Sequence, residues 1–264
     1  MFFCFILKKN VIKYYDNNIW VIIMDDEAVR INKYLSRAGF CSRRAADEIV
    51  LAGRVLINGK IAVTGSKVCF EDEVTVDGKT ISNNNKTCVY AFYKPVGYIS
   101  SLSDEQGEGI SSFLPLGKRL FPVGRLDKES EGLMLLTNDG ELMNSILNAA
   151  NGHEKEYIVT TKQEITQEVL SKMQKGVPIT NRATGEKIIT APCKTEKIGN
   201  RKFRITLIQG LNRQIRRMCG YFNIDVVNLK RIRIVNVSVK GLKPGDLREL
   251  MDEEVNKLNE IIRE

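Results

Sequence analysis

The spacing of apolar residues in the first third of the chain predicts two short helices followed by a hairpin. Apolar residues recur at helical spacing over residues 30–38, and Gly39 offers a left-handed stop. The side chain of Ser42 can cap a second helix, which ends at Gly53. Residues 55–63 are mostly apolar on both sides of an Asn-Gly pair, which tolerates the positive dihedral angles of a tight turn. Together these elements predict one small domain.

Strand patterns dominate the rest of the chain. Alternating or β-branched apolar runs predict strands at residues 74–81, 133–137, 156–160, 187–191, 202–208 and 233–239. Helices are predicted at residues 161–175, where Thr161 to Glu164 matches a capping box, at 212–222 and at 252–263. The pattern therefore predicts an α+β fold, in which the small domain precedes a larger one with a mostly antiparallel, mixed sheet and flanking helices.

The polar segment Ser82-Asn83-Asn84-Asn85-Lys86 indicates the domain boundary. We expect the small domain at residues 28–81, a linker at 82–88 and the larger domain, with its terminal helix, at 89–264. Residues 1–25 form an extension whose lysines follow its short apolar run, the wrong order for a signal peptide. Our preferred interpretation is a non-functional extension from an upstream start, with Met24 as the working first residue; membrane contact is the alternative.

Charge and composition narrow the possible chemistry. The chain has 40 Lys and Arg against 32 Asp and Glu, a net charge of +8, which favours a polyanionic partner. A single histidine, His153, nearly excludes a histidine-based zinc site or a Ser-His-Asp triad. The six scattered cysteines are expected to be free thiols in a reducing cytoplasm. Because nucleotide-binding loops are also missing from the sequence, we expect no cofactor and no metal.

One carboxylate stands out because of its neighbours. In Gly124-Arg125-Leu126-Asp127, the aspartate lies beside an arginine just before the apolar run 133–137, which is expected to be a strand buried on both faces. A carboxylate held near apolar packing stays ionised only when a cation pairs with it. The distant basic segment at residues 210–218 can supply that cation. Taken alone, a Gly-Arg-Leu-Asp string is more often an ordinary salt-bridged loop.

Four motifs in this order resemble the bacterial RsuA/RluB/RluF-type pseudouridine synthases. They are Tyr-Lys-Pro-Val-Gly at 93–97, Gly-Arg-Leu-Asp at 124–127, Lys-Glu-Tyr at 155–157 and Gly-Leu-Asn-Arg-Gln-Ile-Arg-Arg-Met at 210–218. The last motif, with residues 231–237, is most similar to the RluF branch, and residues 28–81 resemble the S4 RNA-binding domain. The resemblance implies a cytoplasmic, monomeric enzyme without membrane contact. It would flip a uridine of 23S rRNA out of its stack and isomerise it to pseudouridine, with tRNA as a possible further substrate.

The resemblance also implies roles for individual residues. Asp127 would be the essential carboxylate, Arg216 its ion-pair partner, Tyr157 the ring that stacks on the target uracil, and Arg125 the residue that fills the gap left by the flipped base. Arg213 and Arg217 are expected to contact phosphates or to form surface pairs. The S4 residues Lys33, Arg37, Arg43 and Arg44 are expected to hold RNA phosphates. The plainer alternatives are a structural ion pair for Arg216, a core position for Tyr157 and a solvated face for the S4 bases.

Other functions stay open at this stage. The same chemistry could act on small-subunit rRNA or on tRNA, and a non-catalytic rRNA-binding assembly factor would need only the basic surfaces. Retention of Asp127, Tyr157 and Arg216 argues against the non-catalytic factor, which has no need of a paired carboxylate. The chemical route is also open, because Asp127 could attack C6 of the uracil or C1′ of the ribose, or remove a proton from C2′.

Overall fold

A computed structural model divides the chain into two units, Met1–Lys86 and Thr87–Glu264. It describes residues 5–7, 11–16, 19–24, 28–69, 71–82, 87–103, 105, 107–115, 118–148, 152–180 and 185–263, the first three ranges by their backbone alone. Most of the predicted linker therefore lies outside the described residues. Within the N-terminal extension, β1 (Phe5–Leu7), β2 (Val11–Asp16) and β3 (Ile19–Met24) pair as an antiparallel sheet.

The rest of the first unit has the predicted helices and hairpin around its own apolar core. Its elements are β4 (Val29–Arg30), α1 (Ile31–Arg37), α2 (Arg43–Leu51), β5 (Val55–Ile57), β6 (Lys60–Ile61), β7 (Lys67–Val68), β8 (Val74–Val76) and β9 (Lys79–Thr80). The hydroxyl of Ser42 accepts a hydrogen bond from the Ala45 amide and caps α2, as predicted. Positive φ angles at Asn58 and Gly59 confirm the tight turn between β5 and β6.

The prediction of a single strand at residues 74–81 is wrong. Asp77 and Gly78 both have positive φ, of 49° and 75°, and they turn the chain between β8 and β9. An Asp-Gly pair suits such a turn for the same reason as an Asn-Gly pair. The turn signal, Asp77-Gly78, was therefore present in the sequence, but it lay inside a run that otherwise has a strand pattern.

The second unit is built on one large sheet. Its elements are β10 (Val89–Lys94), β11 (Phe121–Val123), β12 (Glu131–Thr137), α3 (Gly140–Leu147), β13 (Lys155–Thr161), α4 (Gln167–Gln174), β14 (Pro178–Thr180), β15 (Lys187–Ile189), β16 (Lys194–Gly199), β17 (Lys202–Leu207), α5 (Gln214–Tyr221), β18 (Val226–Ile234), β19 (Val237–Ser238), β20 (Leu247–Glu249) and α6 (Asp252–Arg263). The sheet has the order β16-β17-β13-β18-β12-β10-β20, with β11 on β12 and β19 on β18. Only the β12–β18 contact among these pairs is parallel, which confirms the predicted α+β fold with a mixed, mostly antiparallel sheet.

Apolar cores on the two faces of this sheet explain its near-continuous apolar strands. On one face, Phe92, Met134 and Val159 pack with side chains of α4 and α5. On the other face, strand residues pack with α3 and with Leu258 of the predicted terminal helix. Residues 132–137 of β12 are all buried, because the strand lies between the two cores. This confirms the prediction of a strand buried on both faces.

Two element boundaries differ most from the prediction. Thr161 does not begin a helix: it ends β13, where its amide donates to the Arg201 carbonyl. The helix begins later, and its cap is Thr166, whose hydroxyl accepts from the Val169 amide. The strand predicted at residues 233–239 is interrupted by a positive φ of 51° at Val235, so it belongs partly to β18 and partly to β19. In both cases the pairing of neighbouring strands decided the boundary.

The parallel contact between β12 and β18 needs a glycine. Gly132 faces Arg231, and its φ is +105°. A methyl group at position 132 would overlap the Arg231 carbonyl oxygen and lie 2.8 Å from the Arg231 nitrogen. The two strands can therefore approach each other only where a side chain is missing.

We predict that Gly132→Ala lowers the free energy of unfolding by roughly 3–5 kcal/mol, because it combines backbone strain with a backbone clash. The matched control is Gly241→Ala, where φ is +83° but no atom lies within 4 Å of the added carbon. The control should cost only about 1–2 kcal/mol from the dihedral angle. Chemical denaturation of both variants measures the difference. Equal losses of unfolding free energy would contradict a close approach of β12 to β18.

Candidate active site

The loop that carries Asp127 is fixed on both sides by hydrogen bonds. The Ser100 hydroxyl donates to the Leu126 carbonyl at 2.7 Å and accepts from the Leu126 amide at 2.9 Å. The Lys128 carbonyl accepts from the Gly97 amide at 2.8 Å. Leu126 itself is buried in the core beneath the loop. The carboxylate therefore has a backbone whose position is set before any ligand binds.

Two arginines lie next to this carboxylate. Nη1 of Arg213 is 3.5 Å and Nε of Arg216 is 3.9 Å from Oδ2 of Asp127. The aspartate side chain is 26% exposed, so it is only partly shielded from water. The predicted pairing with Arg216 is thus present as a long contact.

Arg216 is held mainly by other groups. Its Nη1 donates to the Val226 carbonyl at 3.0 Å, and its Nη2 lies 3.4 Å from the Ser130 hydroxyl. Its Nε, which faces Asp127, is buried and makes no hydrogen bond within the described part of the chain. The guanidinium therefore ties α5 to the Asp127 loop and to β18, and it leaves one donor near the carboxylate.

The expectation that Arg213 forms a surface pair is confirmed by its bond to Glu129, but its position beside Asp127 was not predicted. Arg213 is the N-cap residue of α5 and has left-handed backbone angles, φ 49° and ψ 34°. Its Nη1 bonds to Glu129 at 2.8 Å and also lies beside Asp127. Helical periodicity placed Arg213 on another face than Arg216, but its left-handed conformation takes it out of that periodicity. Such conformations are costly for a residue other than glycine and are often found at functional sites.

A small cavity opens beside Asp127 and has a volume of about 140 Å³. It is lined by side chains from the Asp127 loop, β13, β18 and the start of α5, among them Asp127, Lys155, Tyr157, Arg213 and Arg231. A cavity of roughly 150 Å³ can hold a benzene ring. The cavity therefore has room for one single-ring base next to the carboxylate.

Tyr157 and Arg125 line this cavity in different ways. Tyr157 is a buried residue of β13, and it packs with the core while facing the cavity. Arg125 is exposed on the loop, and no ion pair or hydrogen bond of its side chain is found among the described residues. Arg125 and Asp127 also line a second, wider cavity of about 620 Å³ on the same loop. The Asp127 loop therefore separates a narrow chamber from a broad one.

Sequence reasoning assigned no role to Lys94, although it is fully buried. Its Nζ donates to the Pro95 carbonyl at 2.6 Å. Burial lowers the pKa of Lys94 to about 8, and the nearby charges of Asp127 and Glu131 only partly oppose that shift. The sequence signal for this buried cation was a lysine in the otherwise apolar strand β10. Buried charges of this kind cluster at functional sites.

The remaining basic residues are placed more simply. Arg217 donates from Nη1 to the Asn212 carbonyl at 3.0 Å. In the first unit, Arg43 and Arg44 are the exposed first residues of α2, whereas Lys33 and Arg37 are half-buried on α1. The amide groups and dipole of a helix N-terminus favour an anion, so two arginines there suit a phosphate.

Known proteins share both units of this chain. Residues 89–221 match the family described as RNA pseudouridylate synthase, and residues 29–74 match the S4 domain. The chain is 46% identical to the dual-specificity RNA pseudouridine synthase RluF of Salmonella typhi, over 91% of this chain and 82% of that protein. It is 34% identical to the ribosomal large subunit pseudouridine synthase B of Bacillus subtilis, over 87% and 95% of the two chains. A solved structure titled as a pseudouridylate synthase aligns with TM-score 0.64 at 27% identity, over 88% of this chain and all of that one.

Three further observations concern the described residues only. None of their helices is long and apolar enough to cross a membrane. The five cysteines among them are free thiols, as predicted, and Cys4 lies outside. No group of three His, Cys, Asp or Glu side chains there could hold a metal ion.

We predict that Arg213 and Arg216 stabilise Asp127 jointly. Either single change to Met leaves one cation beside the carboxylate, so the double variant should lose about 1–2 kcal/mol more than the sum of the single losses. Denaturation of the four proteins of this double-mutant cycle measures the excess. The control is the same cycle made on Asp127→Asn, where the losses should add. Additive losses with Asp127 intact would contradict a shared carboxylate.

A second prediction concerns the charge on Lys94. Its folded pKa of about 8 lies below the unfolded value, so between these values the unfolded chain binds more protons and stability rises with pH. Relative to Lys94→Met, the wild-type protein should therefore gain up to about 3 kcal/mol of unfolding free energy from pH 8 to pH 10.5. Denaturation of both proteins across this range measures the gain. A constant difference would mean that folding does not lower the pKa of Lys94.

Proposed function

The chain belongs to the RNA pseudouridine synthase family, and from that membership we propose that it isomerises a uridine of 23S rRNA with Asp127 as the essential carboxylate. The observation that carries the proposal is the cavity of about 140 Å³ in which Asp127, Arg213 and Tyr157 meet. An ion-paired aspartate beside an aromatic ring, in a space for one base, suits chemistry on a single flipped nucleotide.

The reaction consumes no other molecule. The N1–C1′ bond breaks and its electron pair stays on the uracil, the base turns, and a C5–C1′ bond forms; C5 then loses its proton and N1 gains one. Asp127 either attacks C1′ or C6, or removes the proton from C2′, and every one of these steps requires the ionised carboxylate. Arg213 and Arg216 both lie beside Oδ2 of Asp127 and can orient the carboxylate for these steps.

Tyr157 would hold the base while it turns. Stacking of a base on an aromatic side chain contributes roughly 1–3 kcal/mol and tolerates rotation within the plane of the ring. Because Tyr157 is packed in the core, its ring has a fixed orientation. A detached uracil would therefore stay in the cavity until C5 faces the ribose.

Arg125 would support the flipped state from outside the cavity. Its side chain is exposed between the narrow and the broad cavity, where the nucleotides flanking the target would lie. An arginine can stack on the neighbouring bases and contact phosphates with the same group. It can thus fill the space that the extruded base leaves.

The substrate part of the proposal rests on the relatives and on charge. Proteins named for dual-specificity and for ribosomal large-subunit modification are 46% and 34% identical to this chain. The name dual-specificity favours a second RNA substrate, for which tRNA is our candidate and small-subunit rRNA the alternative. Lys33, Arg37, Arg43 and Arg44 of the S4 unit would hold phosphates of the bound RNA.

We predict that Asp127→Asn abolishes isomerisation and leaves RNA affinity within about threefold, because the amide keeps the shape of the side chain but has no negative charge. The test is pseudouridine-specific chemical mapping of rRNA and tRNA from cells that lack the gene and are complemented with either protein. The wild-type protein should restore one 23S rRNA position, and the variant should restore none.

The matched control is Asp252→Asn, an exposed carboxylate at the start of α6, which should behave as wild type. A restored position only in 16S rRNA would move the substrate and keep the chemistry. Full activity of Asp127→Asn would show that Asp127 is not the essential carboxylate.

A further inference from the structure

Two buried cations line the narrow cavity, and neither forms an ion pair with a carboxylate in the part of the chain that the structure describes. Lys155 is 8% exposed and Arg231 is 3% exposed, and both line the cavity beside Tyr157. Lys155 donates a long hydrogen bond of 3.3 Å to the His153 carbonyl, and Arg231 donates from Nε to the Leu133 carbonyl at 2.6 Å. Nη2 of Arg231 is buried without any hydrogen bond among the described residues.

The strand geometry places Lys155 and Arg231 on the same face of the sheet as Tyr157. Side chains of β13 alternate, so Lys155 and Tyr157 share its buried face. On β18, the pairing skips Ile232, which puts Arg231 rather than Ile232 opposite Tyr157. A bulge of this kind re-aims a side chain and is common next to active sites.

This arrangement is unfavourable while the cavity holds no anion. A buried charge without a partner is costly, and burial together with the charge of Arg231 lowers the pKa of Lys155. Asp127 cannot compensate fully, because Arg213 and Arg216 already lie beside it. An anion that enters the cavity would therefore be attracted strongly by Lys155 and Arg231.

We propose that Lys155 and Arg231 stabilise the negative charge that develops on the uracil ring during isomerisation. The inference rests on the proposed function. When the N1–C1′ bond breaks, the electron pair left on N1 spreads over O2 and O4 of the base. When Asp127 instead adds to C6, the C5–C6 electron pair moves toward O4. Two fixed cations in the cavity next to the stacked ring lower the energy of the charged base in every route.

The alternative anion is a phosphate of the RNA, and kinetics distinguish the two. A phosphate contact acts equally on bound substrate and transition state, so its loss weakens binding. A contact with the developing charge acts only during the reaction, so its loss slows the step at saturating RNA. Lys155 and Arg231 would then be needed for rate and not for affinity.

The first experiment compares Lys155→Met with the wild-type enzyme on the same 23S rRNA fragment. We expect the single-turnover rate at saturating RNA to fall by about 10²–10³-fold, as for the loss of one oxyanion donor. Affinity should change less than threefold, and the melting temperature should stay equal or rise, because an unpaired buried charge is removed. Lys155→Arg should recover part of the rate. Lys197→Met, an exposed lysine of β16, is the control and should keep the wild-type rate.

The second experiment uses RNA with 5-fluorouridine at the target position. Here the C5–C1′ bond can form but C5 has no proton to lose, so the product keeps its fluorine and adds water across the remaining N1=C6 bond. Nuclease digestion and mass spectrometry then measure this rearranged, hydrated nucleotide. Fluorine at C5 makes uracil a more stable anion, so the rate defect of Lys155→Met should shrink at least tenfold relative to uridine. An equal defect on both substrates, or a loss of affinity alone, would overturn the proposal. If Lys155→Met does not fold, Lys155→Gln takes its place. Failure of the wild-type enzyme on every RNA would instead count against the proposed function.

Discussion

The parallel contact between β12 and β18 is the constraint on which the rest of the site depends. It brings Gly132 against the backbone of Arg231, and only a glycine fits there. The loop with Asp127 leads directly into β12, α5 with its arginines leads into β18, and β13 with Tyr157 lies on the other side of β18. One close strand contact thus gathers the carboxylate, its cations and the aromatic ring from distant parts of the chain.

Positive side chains outnumber negative ones in the group of residues around this contact. Asp127 is shared by Arg213 and Arg216, while Lys94, Lys155 and Arg231 are buried nearby with mostly carbonyl partners. The excess positive charge is unfavourable for stability but is already oriented when a negatively charged RNA arrives. Active sites commonly accept such a cost, because groups held in place before the reaction need no rearrangement during it.

Rigidity and strain are distributed unevenly across the site. Hydrogen bonds from Ser100 clamp the loop beneath Asp127, and core packing fixes the ring of Tyr157. Arg213 instead holds a left-handed backbone conformation, which projects its guanidinium toward Asp127 and Glu129. The carboxylate and the ring are therefore positioned by packing, whereas one of the two cations is positioned by local strain.

The sequence by itself determined the α+β class, the buried strand after Asp127, the cap at Ser42 and the terminal helix, because each depends on local spacing and on neighbouring residues. It also pointed to Asp127, Tyr157 and Arg216 through ordered motifs. Only the tertiary structure decided that Arg213 faces Asp127, that a bulge turns Arg231 toward Tyr157, and that Lys94 and Lys155 are buried near them. These facts depend on strand register and on one left-handed residue, and neither leaves a periodic pattern in the chain. Thr161 shows the same limit. Its local motif suits a helix cap, but its amide donates to the Arg201 carbonyl and the residue ends a strand.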